Sequence, residues 1–462
     1  MRATSGTSSQ SLLLPMLVVG LVAVLVMGGC ESNVDIIGEC ELRTDAVRLQ
    51  VDDREGLVIP DQASHNVGRL GHLTLFEWGE ILQAEWPQYG IRWVQWYDEG
   101  FGPVGEPVAL GTFRAGRTQW VAVDGALEGQ VWADPASTEP PPPDREILHR
   151  WRIPPPPAEP SFERIPARGS ERCPDCGAPR IGSGSGPISQ LPSALAYDDL
   201  WSAFVYQPPV CDYDRPYINY DRLFLVSGNG LHPVLWGVDP CALQAQELQV
   251  QNPWLVSLSD GGLGVLFRVR RRGDEWRPLH YARVGPDGEL LEDPRLVDGA
   301  RGHSTTGIGF QPRAVQVEGG RVLFAELHNE CHALRVMRED GSRVRDAPWQ
   351  LPCMRPGSDE ITGRVELVSV PGGAVLVWTV SKWRTRGDAE HLQGEGVYAV
   401  LLTSQGKRGS EIVRISDEGA RAWFEHLIGA AGDGFDLTVS WSDQRSGAPG
   451  VYVRGLRCRV DD

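Results

Sequence analysis

The sequence predicts an all-β fold, and three observations support this prediction. Short apolar segments alternate in polarity with a period of two residues, which is typical of strands with one buried face. Asp-Gly and Gly-Gly pairs separate these segments where tight hairpin turns are expected. The chain of 462 residues contains 54 glycines and 16 tryptophans, a composition that favours strands and turns over long helices.

A pattern of strand, glycine turn, strand, loop and strand repeats seven times. The copies begin at His72, Trp120, Leu200, Trp254, Ala314, Glu366 and Leu427. Their third strands are expected near residues 91, 147, 231, 279, 331, 397 and 451, and fourth strands at 106–110, 246–250 and 410–416. Four-stranded units at intervals of about 40–50 residues are the mark of propeller blades. The sequence therefore predicts a seven-bladed β-propeller, with a six- or eight-bladed propeller or two β-rich domains as alternatives.

The two ends of the chain are predicted to meet. The last copy has no room for a fourth strand before Asp462, and the strand-like run 46–53 is unassigned. We expect this run to complete the last blade. Cys40 precedes it and Cys458 lies in the last strand, so a disulfide between them would lock the ring.

The first thirty residues have the order of an export signal. Arg2 gives a basic start, residues 12–29 are apolar and uncharged, and small residues lead into Cys30. This stretch resembles a bacterial lipoprotein signal with a lipobox, with Met27 where leucine is commoner. The resemblance implies that Cys30 is lipidated, with palmitate among its acyl chains, and becomes the N-terminus. An uncleaved transmembrane anchor and ordinary signal cleavage are the alternatives.

The predicted organisation is a signal peptide at 1–29, a lipid-anchored tether at 30–45 and the propeller at 46–462. Glu31, rather than an aspartate, follows Cys30. By the same resemblance this favours the outer membrane, so we expect a cell-envelope protein whose lipid binds the membrane.

The charge balance narrows the choice of partners. Asp and Glu number 61 against 44 Lys and Arg, giving a net charge of −17. This excess argues against a nucleic-acid partner, which needs a basic surface, and against direct binding of anionic headgroups.

The cysteine count also supports export. Without Cys30, eight of the nine cysteines remain, an even number that predicts up to four disulfides in an oxidising compartment. The predicted pairs are Cys40–Cys458, Cys331–Cys353, Cys211–Cys241 and Cys173–Cys176. The last pair has zinc-ribbon spacing without a second such pair, so a local disulfide is predicted, with zinc or redox use as alternatives.

A proline-rich stretch interrupts the repeat between the second and third copies. Proline runs at 140–143 and 154–157 and the run GSGSG at 182–186 favour extended or mobile chain. Residues 154–190 are therefore predicted to be a surface insertion, either a tolerated loop or a contact site.

No pattern in the chain identifies a catalytic, metal or cofactor site. His149, His232, His280 and His332 recur in predicted strands, which favours a packing role. Acidic and aromatic residues are mixed as in some sugar or calcium sites, without calcium-loop spacing, at Tyr213, Asp214, Tyr217, Tyr220 and Asp221. The run 441–445 (WSDQR) resembles the sialidase Asp-box region but lacks its Ser-x-Asp-x-Gly order.

The sequence therefore predicts a binding or scaffold protein rather than an enzyme, with no cofactor and an envelope protein or glycan as partner. A propeller hydrolase acting on glycans or lactones is the alternative. A purely structural envelope protein is the third hypothesis.

Overall fold

The computed structural model describes residues 38–50, 65–83, 89–113, 118–132, 148–165, 193–206, 222–228, 230–233, 248–271, 278–297, 312–328, 331–344, 360–386, 389–418, 420, 428–445 and 449–460. Within these ranges the regular elements are β-strands. The prediction of an all-β fold is confirmed.

The strands form seven small antiparallel sheets, numbered here as blades I to VII. Two short strands, β1 (Gly38–Leu42) and β2 (Val47–Arg48), precede the first blade. Blade I contains β3 (His65–Leu70), β4 (Leu73–Gln83), β5 (Tyr89–Tyr97) and β6 (Pro103–Phe113). Blade II contains β7 (Val121–Val123), β8 (Ala126–Trp132), β9 (Leu148–Ile153) and β10 (Ser161–Arg164). Blade III contains β11 (Ser193–Ala196), β12 (Asp199–Tyr206), β13 (Arg222–Ser227) and β14 (Gly230–Pro233).

The second half of the chain forms the remaining four blades. Blade IV contains β15 (Leu248–Ser257), β16 (Leu263–Arg271), β17 (Leu279–Val284) and β18 (Arg295–Leu296). Blade V contains β19 (Arg313–Val317), β20 (Arg321–His328) and β21 (Cys331–Arg338). Blade VI contains β22 (Glu360–Val370), β23 (Gly373–Arg386), β24 (Ala389–Thr403) and β25 (Val413–Arg414). Blade VII contains β26 (Ile428–Asp433), β27 (Asp436–Asp443) and β28 (Gly450–Val460).

The blades close into a ring through their first strands. Each first strand contacts the first strand of the next blade, and β26 of blade VII contacts β3 of blade I. These contacts run once round a circle, so the sheets form a seven-bladed β-propeller with the first strands innermost. The seven-blade prediction is confirmed. The six-bladed, eight-bladed and two-domain alternatives are wrong, because seven sheets contact one another in a single circle.

The N-terminal segment supplies the outer strand of blade VII. β1 pairs with β28 from Gly38 opposite Val460 to Leu42 opposite Leu456, and β2 pairs further along the same strand. Closure by the N-terminus is therefore confirmed, but it begins at Gly38, upstream of the predicted run 46–53. The reason is the length of β28, which has 11 residues. A partner starting at residue 46 would leave half of this strand as an unpaired edge.

A disulfide fastens this closure. Cys40 and Cys458 are cross-strand partners, and their sulfur atoms are 2.07 Å apart across a sequence separation of 418 residues. The predicted Cys40–Cys458 pair is therefore present in the structure.

Three strand assignments are corrected. The segments predicted as first strands from His72 and from Leu200 are second strands, because His65–Leu70 and Ser193–Ala196 precede them as the first strands of their blades and pair with them. The run 246–250 is likewise wrong as a fourth strand, since Leu248 begins β15 of the next blade. The predicted insertion at 154–190 also contributes a strand, because β10 within it pairs with β9.

Apolar side chains pack between successive blades rather than in one central core. Alternate residues of a strand point to opposite faces of a sheet, so a blade can offer apolar side chains to both neighbours. Between blades VI and VII the buried cluster includes Val375, Val377, Val439 and Trp441. Burying one such side chain contributes roughly 1.5–3 kcal/mol, and the repetition of these layers holds the ring together.

The contact between blades II and III, called here the II–III seam, is polar where the structure describes it. Arg150 Nη1 of blade II donates to Asp199 Oδ1 of blade III at 2.6 Å, and Gln130 Nε2 donates to the Leu200 carbonyl at 3.2 Å. Arg150 also binds Glu128 Oε2 through Nε and Nη2 at 2.9 and 2.7 Å. This seam therefore depends on oriented charges more than its neighbours do.

Candidate functional site

The two faces of the ring differ in the length of their connections. The turns that join the first and second strands of each blade are short, from 71–72 in blade I to 258–262 in blade IV. The side on which they lie is called here the turn face. The opposite side, the loop face, is where the last strand of one blade ends and the first strand of the next begins, as at Arg164 and Ser193. Surfaces for recognition are commonly built from loops on a rigid scaffold, so the loop face is the candidate binding surface.

Three residues form a cluster at the inner wall of the ring, and this inner-wall cluster comprises Trp254, Arg313 and Glu366. They belong to the first strands of the consecutive blades IV, V and VI. Arg313 Nε donates to Glu366 Oε2 at 2.8 Å, and the guanidinium carbon lies 4.5 Å from the centre of the Trp254 ring. A side chain of blade V that contacts the inner strands of both neighbours must lie along the inner edge of the blades.

The inner-wall cluster is almost fully shielded from solvent. Arg313 is 5% exposed and Glu366 is 8% exposed. The Trp254 indole N–H donates to the Ala314 carbonyl at 2.8 Å, which fixes the ring beneath the guanidinium. Cation–π contact and a charge-assisted hydrogen bond both strengthen when water is excluded.

One donor of this cluster is left over. Arg313 Nη1 has no hydrogen-bond partner within the described part of the chain. A guanidinium presents five N–H donors, so Arg313 can hold Glu366 and keep Nη1 uncommitted. Because Nη1 is itself buried, the cluster as it stands is a contact between blades, in which Glu366 balances the positive charge.

The inner-wall cluster escaped the sequence prediction. Arg313 and Glu366 stand at the same repeat position, fifth from the end of their strands, while Trp254 is fourth from the end of its strand. Alignment of the repeats on their glycine turns therefore matches Arg313 with Glu366 but not with Trp254. It does not reveal that side chains from three successive blades touch.

A second charged group lies between blades I and II and is more deeply buried. Glu77 is 1% exposed and Arg92 is 3% exposed. Glu77 accepts hydrogen bonds from Arg92 Nη1, from the Thr118 backbone N–H at 3.2 Å and from the Trp120 indole N–H at 2.9 Å. These donors span both blades, so the carboxylate joins the two sheets.

The run that resembles an Asp-box forms a compact corner on the loop face. Asp443 is fully buried and accepts hydrogen bonds from the backbone N–H and the Nε of Arg445 at 2.9 and 2.8 Å. The Arg445 guanidinium lies 4.1 Å above the Tyr452 ring. Burial acts to lower the pKa of Arg445, but the hydrogen bond and charge of Asp443 outweigh it and raise the pKa. These contacts give Asp443 a structural role in holding the β27–β28 connection.

The strand histidines that the structure describes make packing contacts. His149 is 5% exposed and meets the edge of the Phe162 ring, with 5.6 Å between ring centres. His280 stacks on Phe267 at 5.9 Å. Burial lowers the pKa of His280, which favours a neutral ring at pH 7. His232 and His332 lie in β14 and β21, where the structure describes the backbone only.

Several predicted site residues lie outside the described residues, and their predictions stay as they are. These residues are Cys30, Cys173, Cys176, Cys211, Tyr213, Asp214, Tyr217, Tyr220, Asp221, Cys241 and Cys353. The backbone of Cys331 begins β21, opposite His328. The Cys331–Cys353, Cys211–Cys241 and Cys173–Cys176 pairings therefore await experiment.

Within the described ranges, His, Cys, Asp and Glu side chains form no group of three or more that could hold a metal ion. In the same ranges, no helix has the length and apolar character needed to cross a membrane.

No protein-family model matches the sequence, and no curated protein is similar to it. Among solved structures, a protein of unknown function from Dyadobacter fermentans is 11% identical, covering 91% of this chain and 99% of that one, with a TM-score of 0.42. A puromycin hydrolase is 14% identical, covering 89% of this chain and 54% of that one, with a TM-score of 0.44. An α-L-arabinofuranosidase from Lactobacillus brevis is 10% identical, covering 66% and 96%, with a TM-score of 0.35. The seven sheets of this chain, which contact one another in a single circle, place it in the class of β-propeller proteins.

Proposed function

We propose that this chain is an exported, lipid-anchored binding protein of the bacterial cell envelope, which recognises a protein or glycan through its propeller. The observation that carries the proposal is the ring-closing disulfide between Cys40 and Cys458. Disulfides persist in oxidising compartments and are rare in the cytosol. A fold that is fastened by one is suited to a protein that matures after export.

The position of this disulfide supports the same proposal. Cys458 is fully buried within the blade, and its partner Cys40 follows the lipobox-like Cys30 by only ten positions. Export, lipidation and closure of the ring would then occur at one end of the chain. Two or more acyl chains on Cys30 would give a stable anchor, which a single chain would not.

Metabolic labelling with a palmitate analogue tests the anchor. The wild-type chain should incorporate the label and float with membranes, while Cys30→Ser should lose both properties. Glu31→Gln is the matched control and should behave like wild type. Labelling that persists in Cys30→Ser, or an unlabelled wild-type chain in a host that lipidates other proteins, would refute the anchor.

Two carboxylates on inner strands favour a binding role over hydrolysis, because both are engaged in contacts between blades. Glu366 is bound to Arg313, and Asp433 Oδ2 accepts the Gly71 backbone N–H of the next blade at 2.6 Å. Both carboxylates therefore hold blades together. Hydrolysis of a glycosidic bond uses a pair of carboxyl groups that flank the scissile bond.

Isolation of the anchored protein from its native membranes tests the binding role. Cross-linking followed by purification should recover a specific protein or glycan from wild-type cells and not from cells that carry an empty vector. The hydrolase alternative is tested on the same preparation with glycan and lactone panels. Turnover that survives purification and is absent from a mock preparation would replace the binding proposal.

A further inference from the structure

We infer that the anchored propeller rests with the turn face of blade VII toward the membrane and the loop face directed away from it. This inference rests on the lipid anchor proposed above. It follows from the position of Gly38, where β1 begins, and from the length of chain between Gly38 and Cys30.

The first strand of the chain, β1, begins on the turn face. Gly38 pairs with Val460 at the end of β28, and the Gly38 backbone N–H donates to the Gly409 carbonyl at 3.1 Å. The side chain of Val460 lies beside Gly372, where an added Cβ would be 2.8 Å from Val460 Cγ2. Gly372 belongs to the hairpin turn between β22 and β23. The anchor therefore leaves the ring among the short turns.

The part of the tether that lies between Cys30 and β1 is too short to reverse this orientation. Residues 31–37 are the chain between Cys30 and β1, and fully extended chain spans at most about 3.3–3.6 Å per residue, or roughly 29 Å from Cys30 to Gly38. The loop face lies at the opposite end of β28, whose 11 residues span about 35 Å at the usual strand rise. A tether shorter than the blade keeps the loop-face end of blade VII off the bilayer.

An exposed aromatic residue marks the same region. Phe435 is 39% exposed in the turn between β26 and β27. Its carbonyl accepts the Cys458 backbone N–H at 3.0 Å, so it lies next to the closing strand. Apolar aromatic side chains contribute to binding at the interface of a bilayer. Phe435 is placed to contact the lipid beside the anchor.

Energy transfer to labelled lipid tests the orientation. The full lipidated chain is reconstituted in phosphatidylcholine vesicles that contain a headgroup-labelled acceptor lipid. A fluorophore is attached through an azido amino acid that replaces His72 on the turn face or Glu418 on the loop face. Both side chains are exposed and both lie next to blade VII, so the pair is matched.

The expected result is higher transfer efficiency from position 72 than from position 418. Equal efficiencies, or the reverse order, would overturn the inference. A flexible insert of about sixty Gly and Ser residues after Asn33, with a root-mean-square length of about 40–45 Å, should remove most of the difference. If the wild-type chain fails to float with the vesicles, the anchor itself is wrong, which separates that failure from a wrong orientation.

Discussion

Cys40 and Cys458 are 418 positions apart in the chain, yet they face each other on β1 and β28 and are joined by a disulfide. A bond that closes so long a loop restricts the unfolded chain strongly. The chain-entropy model gives about 4.7 kcal/mol for a loop of 100 residues and more for longer ones. We therefore expect Cys40→Ser/Cys458→Ala to lower the free energy of unfolding by several kcal/mol, as measured by urea denaturation.

Reductant provides the control for this prediction. Dithiothreitol should destabilise the wild-type chain and have a much smaller effect on the double variant, since the ring-closing bond is already absent there. An equal effect of reductant on both proteins would assign the stabilisation to other cysteines.

The buried carboxylate between blades I and II gives a second prediction. Glu77→Gln removes the carboxylate charge that pairs with Arg92, which is 3% exposed, and breaking one side of a buried ion pair costs about 3–5 kcal/mol. Thermal unfolding should show a large fall in Tm for this variant. Glu77→Gln/Arg92→Met should recover part of the loss because no buried charge remains. Glu106→Gln, at an exposed position, should be neutral, and a neutral Glu77→Gln would contradict the network.

The II–III seam is expected to open when its charges are removed. Asp199 accepts hydrogen bonds from Arg150 Nη1, from the Leu200 backbone N–H at 2.8 Å and from the Gly228 backbone N–H at 2.6 Å. Asp199→Ala should cost about 1.5–3 kcal/mol, the range for hydrogen bonds to charged groups. Hydrogen exchange should increase in β8 and β12 while β20 keeps its protection. Asp293→Ala, at an exposed position, is the control, and uniform loss of protection round the ring would argue against a local seam.

A pH dependence follows from the ion pair on blade VII. Arg457 donates to Asp436 Oδ1 and Oδ2 at 2.7 and 2.6 Å, and this hydrogen bonding lowers the pKa of Asp436. A carboxyl with a lower pKa in the folded state stabilises the fold above its unfolded pKa, near 3.9, and loses that contribution as pH falls further. Asp436→Asn should therefore be less stable than wild type at pH 7, and the difference should shrink as the pH falls below the unfolded pKa. A constant difference between pH 7 and pH 2.5 would rule out this titration.

The sequence pattern predicts the blades well where each repeat is local. The hairpins of blades IV to VII follow alternating strands and glycine turns, because both strands of a hairpin are adjacent in sequence. In blade III the predicted strands are displaced by one strand from the observed ones. The reason is that Ser193–Ala196 is only four residues long and a long connection follows β12. The predicted closing strand lies downstream of the observed one, because pairing between the two ends of the chain leaves no pattern in the local sequence.

The inner-wall cluster shows a second limit of sequence patterns. Trp254, Arg313 and Glu366 occupy similar repeat positions, but their contact depends on the angle at which three blades meet. The II–III seam could not be predicted for the same reason. The separation of Arg150 and Asp199 in the sequence does not indicate that they form a pair. Contacts between side chains of different blades are identified only in the three-dimensional structure.

The pairing of Gly38 with Val460 has a consequence for how the chain could be rewired. A short linker could join residue 460 to residue 38, and new ends could be opened at the turn between Ser227 and Gly230, because termini in exposed turns are generally tolerated. Such a circular permutant would keep every blade while moving its free ends to another part of the rim. The ring therefore has no structurally distinct first blade, and the fold would accept chain termini at more than one position.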